Sequence, residues 1–275
     1  MKCAWKELLA ILPARVRREV ERLRAEELWE IRLRQDRPTE LLGSRGSIWL
    51  DHRTTGEEIK FCVNTASRYS PWAAQTMSRG YITAPGGHRI GLGGEMVVCD
   101  GRVTGVREVD SLCIRVAHDV TGIGKPFGML RGAVLIIGPP GSGKTTLLRD
   151  ICREISTRET VAVVDERGEL FPDGYDRGRA LDVLSLCPKP QGIDMALRTL
   201  GPGTIAVDEI TGAEDARALE RAGWCGVRLI ATAHASSAVD LRMRPLYRPL
   251  WENHLFEHLL ICHRDESRCV ERMDL

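Results

Sequence analysis

The chain has 275 residues, 43% of them hydrophobic and 28% charged, which suffices to bury the core of one large domain or two modest ones. Its formal net charge of +1 removes any global electrostatic case for nucleic acid or an anionic membrane surface, so no nucleic-acid partner is favoured. Nine scattered cysteines without a C-x-x-C pair argue against a disulfide framework, and no apolar run approaches membrane-spanning length. With no secretory h-region at the start, the expectation is a cytoplasmic protein with reduced thiols, reaching a membrane only through partners.

In chain order, Pro13 and the spacing of Val16, Val20, Leu23 and Leu28 predict an amphipathic helix from about Ala14 to Leu28. Its arginines interleave with Glu19, Glu21, Glu26 and Glu27, as on a solvated, salt-bridged face. Glu30 to Arg34 alternates like a strand, and Ile48 to Leu50 offers it a partner. Helical spacing returns from about Thr55 to Arg68, with a second short helix around Trp72 to Ser78. Two short strands then surround a Pro85-Gly86-Gly87 turn. Asp100-Gly101 signals a hairpin, and Leu112 to Val116 supplies another strand. Thr121 to Pro126 reads as a linker. Residues 1–125 are thus expected to form a smaller α+β domain.

Residues 126–275 change character. Hydrophobic runs at Val134–Ile137, Val161–Val164, Thr204–Val207 and Leu229–Thr232 alternate with helical stretches, the pattern of a mostly parallel sheet with helices on both faces. Ligands of such α/β folds bind beyond the carboxyl ends of the strands. The four runs end at Gly138, at Asp165-Glu166, at Asp208-Glu209 and at His234. Gly201-Pro202-Gly203 adds glycine ahead of the third run, which predicts a loosened segment there.

The run ending at Gly138 opens a phosphate loop of the G-x-x-x-x-G-K-[ST] form (Walker A): Gly138, Pro139, Pro140, Gly141, Ser142, Gly143, Lys144, Thr145 and then Thr146. Glycines let backbone N–H groups converge on phosphate oxygens, and the following helix adds the positive end of its dipole. Lys144 is expected at the β- and γ-phosphates, and Thr145 at Mg²⁺. Asp208 is the expected second metal contact and Glu209 the base that polarises the attacking water. Asp165 is a further candidate metal ligand and Glu166 a candidate for positioning water. His234 is placed to sense the γ-phosphate or bond Glu209. His254, His258 and Cys262 share one face at helical spacing, so a metal site there is an alternative, without a second ligand cluster to complete it. Nothing after the phosphate loop stands out as the positive charge that phosphoryl transfer uses. Arginines of the first domain, Arg79, Arg89, Arg107 and Arg115, are candidates.

These segments together resemble the stage III sporulation protein AA family, a branch of the type II and type IV secretion ATPases. The resemblance lies in Glu30 to Arg34 with Arg37-Pro38, Gly80 to Thr83, Pro85 to Gly91 and Ser111 to Val116. It continues in the phosphate loop, in Val164 to Glu169, in Val207 to Glu209 and in Ala231 to His234. It implies a RecA-like P-loop ATPase core of AAA type behind an N-terminal domain, ATP and Mg²⁺ as ligands, and a homo-hexameric ring. It also implies that Arg89 and Arg115 reach the nucleotide. By resemblance the protein acts in the mother cell, powering or assembling the channel to the forespore on that channel's membrane proteins. Two other readings stand beside it: a nucleic-acid-dependent RecA-like ATPase, and a nucleotide-gated scaffold that hydrolyses little.

Overall fold

The structure is a computed structural model that describes residues 2–67, 77, 80–172, 175–263 and 267–273. The helix expected around Trp72 to Ser78 lies, but for Met77, outside the described residues, as does Arg79. Packing divides the chain into two units, Met1–Asp119 with Pro172–Tyr175, and Val120–Phe171 with Asp176–Leu275. Among the described residues no helix is long and apolar enough to cross a membrane.

In the first unit, helices α1 (Trp5–Ile11), α2 (Ala14–Val20) and α3 (Gly56–Ala66) pack on a six-stranded antiparallel sheet. Its strands are β2 (Leu28–Arg34), β3 (Pro38–Gly43), β4 (Gly46–Arg53), β5 (Tyr81–Thr83), β6 (Arg89–Cys99) and β7 (Arg102–Arg115), in the order β4-β3-β2-β7-β6-β5. The short β1 (Lys2–Cys3) and β8 (His118–Asp119) pair with each other. Period-two alternation sends Ile31 and Leu33, Ile90 and Leu92, and Leu112 and Ile114 to one face. There they meet Leu8, Leu12, Val16, Ile59 and Cys62 of the helices. A reciprocal capping box starts α3: the Thr55 N–H donates to Glu58 at 2.8 Å, and the Glu58 N–H to the Thr55 hydroxyl at 3.3 Å. The Asp100-Gly101 turn has φ of +50° and +71°, as a two-residue hairpin of this twist requires.

Three expectations change here. The helix predicted to reach Leu28 stops at Val20, because Leu28 is buried as the first residue of β2 and the chain must turn to deliver it. Ile48 to Leu50 pairs with β3, which the sequence did not announce, and β3 in turn pairs with β2. The two strands expected on either side of residue 107 are one continuous strand, β7, matched along β6 with three register shifts.

The second unit is built on a seven-stranded sheet in the order β11-β10-β12-β13-β9-β14-β15. The strands are β9 (Val134–Ile137), β10 (Val161–Asp165), β11 (Leu181–Ser185), β12 (Thr204–Val207), β13 (Arg228–Ala233), β14 (His258–Cys262) and β15 (Arg268–Arg272). All are parallel except β15, which runs antiparallel to β14. Strands covered on both faces read as unbroken apolar runs, and successive residues go to opposite cores. Val134 and Ile136 join Leu147, Leu148 and Ile151 of helix α4 (Lys144–Ile155). Leu135 and Ile137 join Ile193 of α5 (Lys189–Met195) and Ala216, Leu219 and Ala222 of α6 (Ala213–Trp224) on the other face. Leu241 of α7 (Ala238–Met243) and Leu250 of α8 (Arg248–Glu252) complete that second core.

The segment before β12, where the added glycine predicts loosening, is anchored by backbone bonds on leaving α5. Helix α5 passes through a π turn at Ala196–Leu200 and is closed by Gly201 in the left-handed region, φ +53°. The Gly203 and Thr204 N–H groups then both bond to the Thr160 carbonyl, at 3.0 and 3.1 Å, and Thr204 is fully buried. The shared helical face of His254, His258 and Cys262 does not exist either. His254 sits in a turn at φ +50°, while His258 and Cys262 are the two ends of strand β14. Among the described residues no group of three or more His, Cys, Asp or Glu is arranged to hold a metal.

His88 is fully buried and ties three segments of the first unit together. Its Nε2 donates to the Ala4 carbonyl at 3.0 Å while Nδ1 accepts the Ala117 N–H at 3.1 Å, which fixes the neutral tautomer. Burial holds its pKa below the ordinary 6.5. The unfolded chain therefore binds this proton more readily, so stability is lost as pH falls from about 6.5 toward the depressed value. Denaturant midpoints measured against pH should show that loss, and His88→Asn should flatten it while lowering the midpoint at neutral pH.

Candidate nucleotide site

The order β10-β12-β13-β9 makes neighbours of the four strands whose carboxyl ends carry polar groups, so the parallel sheet gathers those ends along one edge. At Gly138 a Cβ would lie 2.4 Å from the Cys262 carbonyl oxygen and 2.5 Å from the Ser142 hydroxyl, so only glycine lets the loop leave β9 here. Gly143 adopts φ +82° and delivers the chain into α4. Lys144, at the first position of that helix, is 7% exposed. Its ammonium donates to the Gly138 and Pro139 carbonyls, each at 2.9 Å, and lies 3.3 Å from His234 Nδ1. Burial pulls its pKa down, opposed by the nearby carboxylates of Asp208 and Glu209. The Ser142 hydroxyl is buried and, among the described residues, has no hydrogen-bond partner.

Asp208 joins three elements. One carboxylate oxygen accepts the Thr145 hydroxyl of α4 at 2.8 Å, and the other accepts the Thr232 hydroxyl of β13 at 2.6 Å. Thr232 faces Asp208 because the β12–β13 register sets Val207 beside Ala231 one residue earlier. The same Thr232 hydroxyl accepts the Glu209 N–H at 2.7 Å, and the Thr232 carbonyl accepts the Ile210 N–H at 2.9 Å. Those two bonds hold Glu209 at φ +54°, a conformation that costs a non-glycine residue on the order of 1 kcal/mol or more. The Glu209 carboxylate sits 3.2 Å from His234 Nε2 and 2.7 Å from the Arg167 guanidinium. Tyr247 lies behind: its hydroxyl donates to the Ile210 carbonyl at 3.2 Å and accepts the His234 N–H at 3.3 Å.

The other expected residues are placed as follows. Asp165 is 2% exposed, and its carboxylate accepts the N–H groups of Glu169, Leu170 and Phe171 at 3.0, 2.8 and 3.3 Å. Burial raises its pKa and those bonds work against the rise. It organises the turn after β10, which Arg149 of α4 secures through the Glu169 and Leu170 carbonyls. Glu166 pairs with the buried Lys189, which also reaches Asp215 at 3.4 Å. Thus Lys144, Thr145, Asp208, Glu209 and His234 come together, while Asp165 is engaged by the turn after β10 and Glu166 by Lys189 of α5. In the first unit, Arg89 stacks over the Tyr81 ring at 4.1 Å, Arg115 stands 3.9 Å from Glu30, and the two arginines are cross-strand partners. Arg107 pairs with Glu95 at 2.6 Å on the same ribbon.

Sequence reasoning passed over Arg167, Thr232, Tyr247 and Lys189. Arg167 stood in the Asp165-Glu166-Arg167 run, where charge alone did not say which of three neighbours would turn toward Glu209. Thr232 had a readable signal: a hydroxyl on an apolar strand two residues before His234.

The residues fit a nucleotide and a hard divalent cation. The buried Ser142 hydroxyl and the glycine cradle suit phosphate oxygens. Thr145 and Asp208 offer a hydroxyl and a carboxylate side by side, the few protein ligands that Mg²⁺ takes beside phosphates and water. Fold and site together define a RecA-like P-loop core, preceded in the chain by an antiparallel-sheet unit. It is similar to the Legionella pneumophila ATPase DotB, TM-score 0.62 at 20% identity over 95% of this chain and 80% of that one. It is similar also to the pilus retraction motor PilT solved with bound ADP, TM-score 0.64 at 16% identity over 93% of this chain and 77% of that one.

The family model for "Sporulation stage III, protein AA" matches residues 4–271, and the chain belongs to that family. Stage III sporulation protein AA of Bacillus subtilis (strain 168) is 35% identical over 276 aligned positions, 92% of this chain and 89% of that protein. Competence protein ComGA of Streptococcus pneumoniae is 29% identical over about half of each chain, 52% of this one and 47% of its own.

Lys144 gives the site a proton signature. Its pKa is depressed in the free protein, and phosphate oxygens favour the charged form, so binding raises that pKa. Nucleotide affinity should therefore fall, and binding should take up protons, as pH rises past the depressed value. Titration calorimetry in buffers of different ionisation enthalpy measures this above the range where the γ-phosphate itself titrates. Binding with no proton uptake there would contradict the assignment.

Proposed function

We propose that this protein is a Mg²⁺-dependent ATPase of the secretion type, hydrolysing ATP to ADP and phosphate to power or assemble a membrane-associated channel between mother cell and forespore. The observation that carries the chemistry is the convergence of Lys144, Thr145, Asp208, Glu209 and His234 at one sheet edge. Membership of the sporulation family and the fold shared with DotB and PilT support the setting.

In this reading the loop from Gly138 to Thr146 binds the phosphates, and Lys144 exchanges its two carbonyl partners for phosphate oxygens. Thr145 and Asp208 hold the cation, which when bound neutralises charge on the phosphates. Glu209 orients a water and takes its proton. His234, touching both Lys144 and Glu209, relates phosphate binding to the position of the base. Asp165 shapes the turn after β10, and Glu166 is held by Lys189. Arg89 and Arg115 are proposed, by family resemblance, as the arginines that meet the transferring phosphoryl group. The same resemblance supports a homo-hexamer of two-domain subunits, divided near residue 125. The ring would stand in the mother-cell cytoplasm and be recruited by membrane proteins of the channel.

Glu209→Gln should retain ATP binding and lower turnover about 10²- to 10⁴-fold, the usual loss when a general base is removed. Lys144→Ala should weaken ATP binding about 10- to 100-fold through the loss of charge-assisted bonds. Wild-type turnover in the first variant, or wild-type affinity in the second, would remove the residue from its role. Turnover measured with single-stranded DNA, duplex DNA or purified channel membrane proteins should respond to the membrane proteins. Strong stimulation by DNA alone would favour the nucleic-acid-dependent reading instead.

A further inference from the structure

Strand β4 is the outer strand of the first unit's sheet, and among the described residues it pairs with β3 alone. Eight residues long, it leaves one row of backbone N–H and C=O groups without a ladder partner. Edge strands of this length are ordinarily kept from other chains by charge, proline or bulges along the edge. Here Asp51, Arg53 and a register shift opposite Pro38 occupy the strand's far end, while residues 46–50, Gly-Ser-Ile-Trp-Leu, carry no charge, and Ile48 and Trp49 are 45% and 57% exposed.

Charge around this edge is uneven. The cleft on the α2 side balances Arg15 and Arg18 against Glu19 and Asp51 beside Leu50 and His52. The cleft on the other side sets Arg34, Arg37 and Arg53 against Asp36 alone, next to Trp49 and Pro38. Arg34 is answered by Glu40 at 3.1 Å. Arg53 spends one donor on the Asp36 backbone carbonyl at 2.8 Å. Among the described residues neither Arg37 nor Arg53 has a carboxylate partner, and both are exposed.

We propose that β4 receives an extended, acidic segment of a partner polypeptide as an added strand, its alternate carboxylates meeting Arg37 and Arg53. An added strand satisfies the open row of backbone groups and supplies affinity through main-chain bonds. Side chains of a strand alternate, so every second residue of the segment faces the arginine cleft, where guanidinium forks donate to carboxylates bidentately. Trp49, on the same face as Arg53, packs against an apolar or small residue between them. An anionic lipid surface would use the arginines and the tryptophan but would leave the backbone row unpaired, which is why a peptide is the occupant.

The test uses the full chain and fluorescein-labelled peptides matched to the length of β4. One alternates Glu with Val and Thr, a second has Lys in place of Glu, and a third is the acidic peptide with proline at its centre. Anisotropy should register binding of the first alone, weakened about tenfold or more by Arg37→Glu with Arg53→Glu. Amide exchange across residues 46–53 should slow on binding, and ATP affinity should be unchanged in the double variant. Binding of the lysine or proline peptide equal to that of the acidic one would overturn the proposal, as would binding untouched by the arginine reversals. Failure of the acidic peptide to bind would overturn it too, including the case in which phosphatidylglycerol vesicles bind. None of these outcomes depends on ATP turnover, so they are distinct from a failure of the ATPase reading.

Discussion

One carboxylate holds the second unit's site together. Asp208 accepts the Thr145 hydroxyl on one oxygen and the Thr232 hydroxyl on the other, and so fastens the first turn of α4 to the ends of β12 and β13. Hydrogen bonds to a charged group contribute roughly 1.5–3 kcal/mol each, against about 1 for neutral pairs. A site at the meeting of three elements needs bonds of that class, because each element alone is free to shift along the sheet edge. The sheet order makes the bridge possible: β13 lies between β9 and β12, so Thr232 stands beside Asp208 while the phosphate loop starts one strand further on.

From that bridge the rest follows outward. Thr232 also accepts the Glu209 N–H, and this holds the catalytic candidate in a left-handed conformation that points its carboxylate between His234 and Arg167. Tyr247 supports both His234 and Ile210 from a buried position. The charged groups behind the site act as fasteners. Asp165 gathers three backbone N–H groups, Arg149 takes the carbonyls of the same turn, and Lys189 ties Glu166 to Asp215. Lys144 is held by backbone carbonyls that give way easily to stronger acceptors, and its depressed pKa records how poorly the free site solvates it.

Much of this was legible in the residues. The four apolar runs announced the parallel sheet, because strands covered on both faces have no polar side to show. The glycine, lysine and threonine of the phosphate loop were readable because each type is required by backbone approach or by phosphate chemistry. Hidden features shared one property, dependence on register and on turns. Val20 could have led a helix onward to Leu28, and only the need to place Leu28 in β2 stops it. His254, His258 and Cys262 fit a helical face in spacing, yet β14 uses His258 to Cys262 to continue the sheet beside β9. Asp165, Glu166 and Arg167 are consecutive charges whose separate directions are decided by a tight turn that the Asp165 carboxylate helps to make, while Glu166 turns to Lys189 and Arg167 to Glu209.

The central claim is that Thr145, Asp208 and Thr232 act as one unit in positioning the site. A double-mutant cycle on ATP turnover, with Asp208→Asn and Thr232→Val singly and together, measures that coupling directly. The second substitution should cost far less once the first is present, with a coupling of about 1 kcal/mol or more. Additive losses in the double variant would mean that the two side chains act separately, and would contradict that claim.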